Sequence, residues 1–175
     1  MPTPARYDAV ARALHWLIVA LLVAQYAIGW TMPDVHRDTH PVGLIAAHLI
    51  VGTALLAAMA CRVLWRATHR PPADALSPTM RALSGATHIA LYALLIVVPL
   101  LGWINASSRA WAVTLFGIVP LPALSAAGSG FGHAMGDVHG ILAWVLFGGV
   151  CLHVAAAIAH RFVLRDQVMQ RMMPW

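Results

Sequence analysis

Histidines within long apolar runs are the residues of this sequence best suited to chemistry. The chain has ten histidines, and an ionisable side chain inside a membrane span is costly and usually functional. His139 and His153 lie 14 residues apart in one apolar run. On a helix this spacing returns to within about 40° of the same face and separates the side chains by roughly 21 Å. One helix can therefore present two imidazoles to two separate cofactors, one near each membrane surface.

Each of these two histidines needs a partner at the same depth on a facing helix, because helix bundles build cofactor sites from facing side chains. His48 matches the depth of His139. His15 and His88 both match the depth of His153, and depth alone does not separate them. The remaining histidines lie in loops or at the ends of apolar runs, where solvation accounts for them: His36, His40, His69, His133 and His160.

Roles without a cofactor fit these histidines less well. A histidine in a span can simply bond a neighbouring helix, but four at two matched depths are harder to account for in that way. The apolar runs offer no carboxylate or thiolate cluster that would complete a zinc site. Cys61 and Cys151 lie in apolar runs, outside any Cys-x-x-Cys-His pattern, and are predicted to be buried thiols. Four glycines near the histidines fit either a flat cofactor or close helix packing, and decide nothing: Gly52, Gly140, Gly148 and Gly149.

The elements that must position the histidines are four apolar runs. Hydrophobic residues make up 61% of the 175 residues and charged residues only 10%, against about 25% in soluble domains. Each run has the roughly 20 residues that a span requires, and lipid forces such spans to be helical. The sequence therefore predicts an all-α fold, an integral membrane four-helix bundle forming a single membrane domain over residues 1–175. The predicted spans are residues 13–32, 42–61, 86–106 and 138–160.

Two local features refine this prediction. The first apolar run is too long for the core of a signal peptide, so we expect the segment from Met1 to Arg12 to precede a true span. Pro99 is expected to kink the third span. The third loop, about thirty residues from Ser107 to Asp137, contains an apolar stretch (Trp111 to Pro122) that is too short to span. We expect this stretch to lie at the membrane interface or to fold over the outer ends of the helices.

The arginines predict the orientation of the bundle. Nine of the eleven lie before span one, between spans two and three, or after span four, and only Arg37 and Arg109 lie on the other side. The positive-inside rule then places both termini in the cytoplasm. The net charge of +5 is thus a topology signal, and no nucleic-acid partner is expected.

At these residues the sequence resembles the bacterial cytochrome b561 family. The resemblance covers nearly the whole chain, through LHWLIVALL at Leu14, AHLIVGTALL at Ala47, ATHIALYALL at Ala86, DVHGILAW at Asp137 and LHVAAAIAHRFVLRD at Leu152. The WAVTLFG stretch of the third loop and the closing RMMP also match. The resemblance implies two haem b groups, an outer one held by His48 and His139 and an inner one held by His15 and His153. His88 is kept as a second choice of ligand, or as a quinone-site residue.

The resemblance also implies a reaction. Family members of this type oxidise superoxide at the periplasmic face and reduce ubiquinone, as multi-pass proteins of the bacterial inner membrane. Haem iron with two axial histidines has no open position, so superoxide would give up its electron at the haem edge. Cations at the outer side would attract this anion, and the candidates are Arg37, Arg109, His36, His40 and His133. Candidates to pair with haem propionates at the inner side are Arg12, Arg62, Arg66 and Arg161.

Two other functions are compatible with the same residues. The chain would alternatively be a cytochrome b anchor that passes electrons between a peripheral dehydrogenase or hydrogenase and quinone. A co-purifying redox partner would favour that function. A haem-free channel or transporter with a histidine proton relay is the third interpretation, and a colourless purified protein would favour it.

Overall fold

The described part of the chain folds into four long helices. The computed structural model describes residues 6–36, 38–69, 72 and 76–173. The helices are α1 (Ala9–Thr31), α2 (Leu44–Thr68), α3 (Pro78–Ser108) and α4 (Gly130–Phe162), followed by a short 3₁₀ turn at Met169–Arg171. All four are long and apolar enough to cross a membrane. The prediction of an all-α membrane bundle is confirmed.

The helices are longer than the predicted spans. Helix α2 continues to Thr68, α3 begins eight residues before the predicted start, and α4 likewise begins at Gly130. An apolar-run criterion finds only the lipid-exposed part of a helix, whereas backbone hydrogen bonding continues through polar residues until a cap or breaker. Ser77 and Ser129 are such caps, because their side chains accept hydrogen bonds from Met80 N and Gly132 N. Pro99 lies inside α3, which continues through it.

Consecutive helices pack against each other, α1 on α2, α2 on α3 and α3 on α4. Because the chain reverses at each connection, the bundle has two distinct ends. The hairpin end holds the end of α1, the start of α2, the end of α3 and the start of α4. The tail end holds the opposite helix ends and residues 169–173. A core cluster from all four helices fills the middle, and Met59 is fully buried within it.

Helices α1 and α4 meet through side chains. The Tyr26 hydroxyl donates a 2.7 Å hydrogen bond to the Ala143 carbonyl. Trp30 stacks on Trp144 with 6.2 Å between ring centroids, and Phe147 contacts both Trp30 and Tyr26 edge-on. This aromatic cluster joins the last two turns of α1 to the middle of α4.

The apolar stretch of the third loop forms a small β-hairpin. Strands β1 (Thr114–Leu115) and β2 (Val119–Pro120) pair antiparallel, with Thr114 opposite Pro120. The hairpin packs on α2, where the Thr53 hydroxyl shares its one proton between the Ile50 carbonyl of its own helix, at 2.9 Å, and the Thr114 carbonyl, at 3.0 Å. Irregular backbone at membrane depth is tolerated where protein satisfies it, as this hydroxyl does. The stretch therefore covers the flank of α2 near the hairpin end.

The tail closes the opposite end of the bundle. Trp16 Nε1 donates a 2.9 Å hydrogen bond to the Met172 carbonyl, and Arg12 Nη1 donates one of 3.1 Å to the Met173 carbonyl. His160 Nδ1 lies 2.5 Å from a carboxylate oxygen of Asp166. These hydrogen bonds hold residues 166–173 against the tail-end turns of α1 and α4.

Candidate haem-binding sites

Two histidines face each other at the hairpin end. His48 on α2 and His139 on α4 have ring centroids 6.1 Å apart, with their planes inclined by 81°. His139 Nδ1 lies 2.8 Å from the Val98 carbonyl, which can only accept, so Nδ1 carries the proton. This fixes the tautomer in which Nε2 keeps its lone pair, as second-shell partners of metal-ligating histidines generally do.

Two glycines let these imidazoles approach neighbouring backbone. A Cβ at Gly102 would lie 3.1 Å from both Cε1 and Nδ1 of His139. A Cβ at Gly29 would lie 3.4 Å from Cε1 of His48. The sequence gives no reason to single out either glycine. Gly140, which follows His139, and Gly148, which lies between His139 and His153, have nothing within 4 Å of a Cβ.

Gln25 on α1 is a site residue that sequence reasoning missed. Its Nε2 lies 3.1 Å from His48 Nε2 and 3.2 Å from the His48 carbonyl. Because the amide donates, His48 Nε2 accepts and carries no proton, which is the tautomer that an iron ligand requires. An iron bound at this nitrogen would take the place of the Gln25 amide. Gln25 Oε1 and His48 Nδ1 are buried without hydrogen-bond partners among the described residues. In the sequence, Gln25 can be noticed because it is a polar amide within the first apolar run.

A small cavity of about 30 Å³ lies between these groups. Its walls come from all four helices and from Val113, the residue that precedes the hairpin. The described residues that line it are Gln25, His48, Leu49, Gly52, Thr53, Leu56, Pro99, Gly102, Trp103, Val113 and His139. The segment that leads into the hairpin thus forms part of the lining of the site that contains the paired imidazoles.

Three histidines converge at the tail end. The ring centroid of His153 on α4 lies 6.5 Å from that of His15 on α1 and 5.4 Å from that of His88 on α3. His15 and His153 are half-buried, whereas His88 is exposed. His88 Nδ1 donates a 2.6 Å hydrogen bond to the Ser84 carbonyl of its own helix. The structure therefore brings both sequence candidates to His153, in different surroundings.

The paired imidazoles fit a haem iron better than a bare metal ion. A metal–imidazole bond is about 2.0 Å, so two imidazoles on opposite sides of one metal have ring centroids roughly 6.3 Å apart. The 6.1 Å and 6.5 Å pairs match this span, whereas 5.4 Å is shorter. In the described part of the chain no group of three or more His, Cys, Asp or Glu residues could hold a metal ion. Two facing ligands without a third suit a metal whose other ligands come from a macrocycle.

The remaining candidates lie near the two ends. At the hairpin end, Arg109 donates from Nη1 to the His36 carbonyl at 2.9 Å and lies over Trp111. His133, predicted in a loop, lies in the first turn of α4, and its Nδ1 is 3.0 Å from Ser108 Oγ. His40 is exposed, and Arg37 lies outside the described residues.

At the tail end, the position of Arg62 differs from the predicted one. It was placed in a loop but lies within α2, where it is buried. Arg66, one turn further along α2, is exposed. His69 stacks on Trp65 with ring centroids 3.8 Å apart, which accounts for it without a cofactor.

Four apolar helices with imidazoles paired between them are the features of a membrane cytochrome. The family model of prokaryotic cytochrome b561 matches residues 6–175, and the chain belongs to that family. It is 29% identical over 174 residues to cytochrome b561 homolog 2 of Escherichia coli K12, covering 98% of this chain and 93% of that protein. A probable superoxide oxidase, CybB of Yersinia pestis, is 26% identical over 175 residues, with 97% and 96% covered. Cytochrome b562 of Cereibacter sphaeroides is 27% identical over 172 residues, with 95% and 94% covered.

Family membership confirms the resemblance found in the sequence. The chain is a multi-pass bacterial membrane protein of the electron-transfer class, and therefore an oxidoreductase in the general sense. Its family implies haem b as the cofactor. The histidines described above are the side chains in this chain that suit that group.

Proposed function

We propose that the protein holds two haem b groups, one between His48 and His139 and one between His15 and His153, and uses them to pass electrons from superoxide to ubiquinone. The observation that carries this proposal is the pair of centroid distances, 6.1 Å and 6.5 Å, in two layers of one bundle. The two layers share α4, whose histidines are about 21 Å apart along the axis.

The surroundings of the tail-end histidines favour His15 over His88 as the partner of His153. The 6.5 Å spacing is close to that of two imidazoles on one iron, and His15 is half-buried. His88 lies closer to His153 than that spacing and is exposed, with its Nδ1 proton directed at Ser84. An exposed imidazole with a free Nε2 suits a residue that exchanges protons at the edge of the site, as quinone reduction requires.

We place the tail end in the cytoplasm and the hairpin end in the periplasm of a bacterial inner membrane, on the distribution of the arginines. The superoxide anion would then meet the hairpin end, where Arg109 and the exposed His36 and His133 offer positive charge or hydrogen-bond donors. Such groups raise the local concentration of an anion and its rate of encounter. The relative named as a probable superoxide oxidase supports this substrate.

Haem b supplies one-electron chemistry when bound. The two histidine pairs would hold these groups, and a haem held by two histidines would exchange electrons with superoxide without binding it. Each superoxide gives one electron and becomes dioxygen. Two such electrons, together with two protons taken up from the cytoplasmic side, convert ubiquinone to ubiquinol. His88, the exposed histidine of the tail end, is a candidate to pass those protons.

The first test is the number of haems. The detergent-purified protein should give visible spectra of low-spin haem b, with two haems per chain by pyridine haemochromogen analysis. His48→Ala should retain one haem, and so should His15→Ala. A colourless protein, or one haem per chain, would contradict the two-layer proposal.

The second test concerns the electron donor. Superoxide generated enzymatically should reduce the oxidised protein, followed at its α-band, and superoxide dismutase should abolish the reduction. Added ubiquinone should then reoxidise it. No reduction by superoxide, together with a stable co-purifying dehydrogenase or hydrogenase, would instead favour an anchor subunit.

A further inference from the structure

A buried cation lies within the bundle on α2. Arg62 is 8% exposed, and it is the one charged side chain among the described residues that is buried. No carboxylate of the described part of the chain forms an ion pair with it. An unpaired buried charge is strongly destabilising, and in membrane proteins a charge of this kind usually has a function.

Neutral groups hold the Arg62 guanidinium in place. Its Nε donates a 3.0 Å hydrogen bond to the Tyr92 hydroxyl, and its Nη1 donates one of 3.0 Å to the Ala11 carbonyl. The guanidinium also lies 5.7 Å from the centroid of the Tyr92 ring. These contacts fix its position from three helices, α1, α2 and α3, but leave its charge uncompensated. Three of its five N–H donors are not used by them.

The contacts of Arg62 place its charge beside the tail-end histidines. Ala11 lies one turn before His15 on α1, and Tyr92 lies one turn after His88 on α3. The guanidinium therefore spans the gap between the two helices that present imidazoles to His153. The cavity at the hairpin end has no equivalent, because the described residues that line it are all uncharged or histidine.

We propose that Arg62 supplies a fixed counter-charge to the tail-end haem. As a positioning residue, Arg62 raises the reduction potential of this haem above that of the hairpin-end haem. This inference rests on the proposed function, because it requires a haem at each end. A fixed positive charge favours the state that holds one more electron, and it acts strongly at short range in a medium of low dielectric. The unused N–H donors of Arg62 are available to a propionate carboxylate. The effect directs electrons from the hairpin end to the tail end.

The chain offers a matched control one turn away. Arg66 lies on the same helix and carries the same charge, but it is exposed to solvent, where screening weakens its field. Tyr92→Phe offers a second comparison, because it removes one hydrogen bond while leaving the charge of Arg62 in place.

The test is a redox titration of the purified holoprotein, followed by visible spectroscopy, after haem per chain has been measured. In Arg62→Gln, the higher of the two reduction potentials should fall by about 59 mV, which changes the distribution of one electron between the two haems tenfold. The other potential should stay unchanged. Arg62→Lys should recover most of the difference, and Arg66→Gln should leave both potentials in place.

The outcomes separate this inference from the proposal on which it rests. A wild-type protein with one haem would overturn both. Two haems in Arg62→Gln with unmoved potentials would overturn only the role of Arg62. Loss of the same haem in Arg62→Gln and Arg62→Lys alike would also overturn it, since the site would then need the shape of the side chain and not its charge. Loss in Arg62→Gln with full retention and a near-wild-type potential in Arg62→Lys would support it.

Discussion

Both ends of the bundle bring histidines from different helices together, but the contacts around those histidines differ. At the hairpin end, one pair of histidines is held by backbone contacts, with the His139 proton on the Val98 carbonyl and Gly102 against the ring. At the tail end, His153 faces two candidate partners beside a buried cation. The hairpin end is thus specified by shape, whereas the tail end is adjusted by charge. Substitutions at either end should therefore affect haem retention, and at the tail end they should also affect which histidine binds the haem and the reduction potential of that haem.

The largest expected effect is complete loss of one haem. His15→Ala should reduce the haem content from two to one per chain, because a missing axial ligand leaves the iron without its pair. His88→Ala should keep both haems. Pyridine haemochromogen analysis of both variants measures this difference. The reverse pattern, with loss in His88→Ala alone, would assign His88 as the ligand and show that the tail end tolerates the shorter spacing.

The shape constraint at the hairpin end should appear in Gly102→Val. A Cβ there would lie 3.1 Å from the His139 ring, so the larger side chain should displace the ring. Loss of such supporting geometry typically costs about 10–100-fold in metal-site affinity. Transfer of haem to apomyoglobin should be correspondingly faster for one of the two haems. Gly85→Val, on the same helix, is the control, because nothing lies within 4 Å of a Cβ at that position. Equal transfer rates in both variants would show that the contact is unimportant.

A smaller effect should follow from detaching the hairpin. Thr53→Val removes the hydroxyl whose proton is shared between the Ile50 and Thr114 carbonyls, so the Thr114 carbonyl loses its bond to α2. Side-chain hydrogen bonds between packed helices in membranes contribute about 1 kcal/mol, and we expect a similar value for this bond between a helix and the hairpin. Thermal unfolding in detergent should report a loss of this size. Thr31→Val serves as the control, since its hydroxyl bonds only carbonyls of its own helix. A loss as large in that variant would mean that the hairpin contact adds nothing.

The smallest effect concerns Asp8, which caps α1 at the tail end. The backbone N–H of Ala11 donates to its carboxylate and, with a weaker contribution from Trp65 Nε1, lowers the pKa of Asp8. The folded pKa is therefore below the unfolded value, so its stabilisation is present above the unfolded pKa and is lost as pH falls through the folded pKa.

We expect Asp8→Ala to destabilise the protein by about 0.5 kcal/mol at pH 7, the low end for a helix cap, because the carboxylate is exposed. The difference from wild type should shrink below about pH 4, near the unperturbed pKa of aspartate. Unfolding midpoints across that range measure it. Asp8→Asn should keep a cap at every pH, so a pH-dependent loss in that variant would contradict the assignment.

The sequence predicted the parts of this molecule that depend on local pattern. Apolar run length specifies the four helices, and the spacing of His139 and His153 follows from helix geometry alone. The helix ends were missed because polar residues such as Arg62 and His133 continue a helix beyond its apolar core. That error hid the burial of Arg62, which depends on Tyr92 and Ala11 of two other helices.

The surroundings of the histidines depend on tertiary contacts that no local pattern contains. Gln25 reaches His48 across 23 residues of sequence, and Gly102 meets His139 from a different helix. The choice between His15 and His88 depends on the direction of each side chain, because both lie at the same depth. Single residues such as these become informative only once the helices have been placed around them.

Every facing pair of imidazoles in this molecule takes one member from α4, the last of the four helices to be synthesised. A nascent chain that has inserted only α1, α2 and α3 therefore has no pair to offer. The first three helices must pack without help from haem, guided by contacts such as those of α1 with α2. With the proposed ligands, loading with haem would be a late event in biosynthesis, because it would require residue 139 and then residue 153 to enter the membrane.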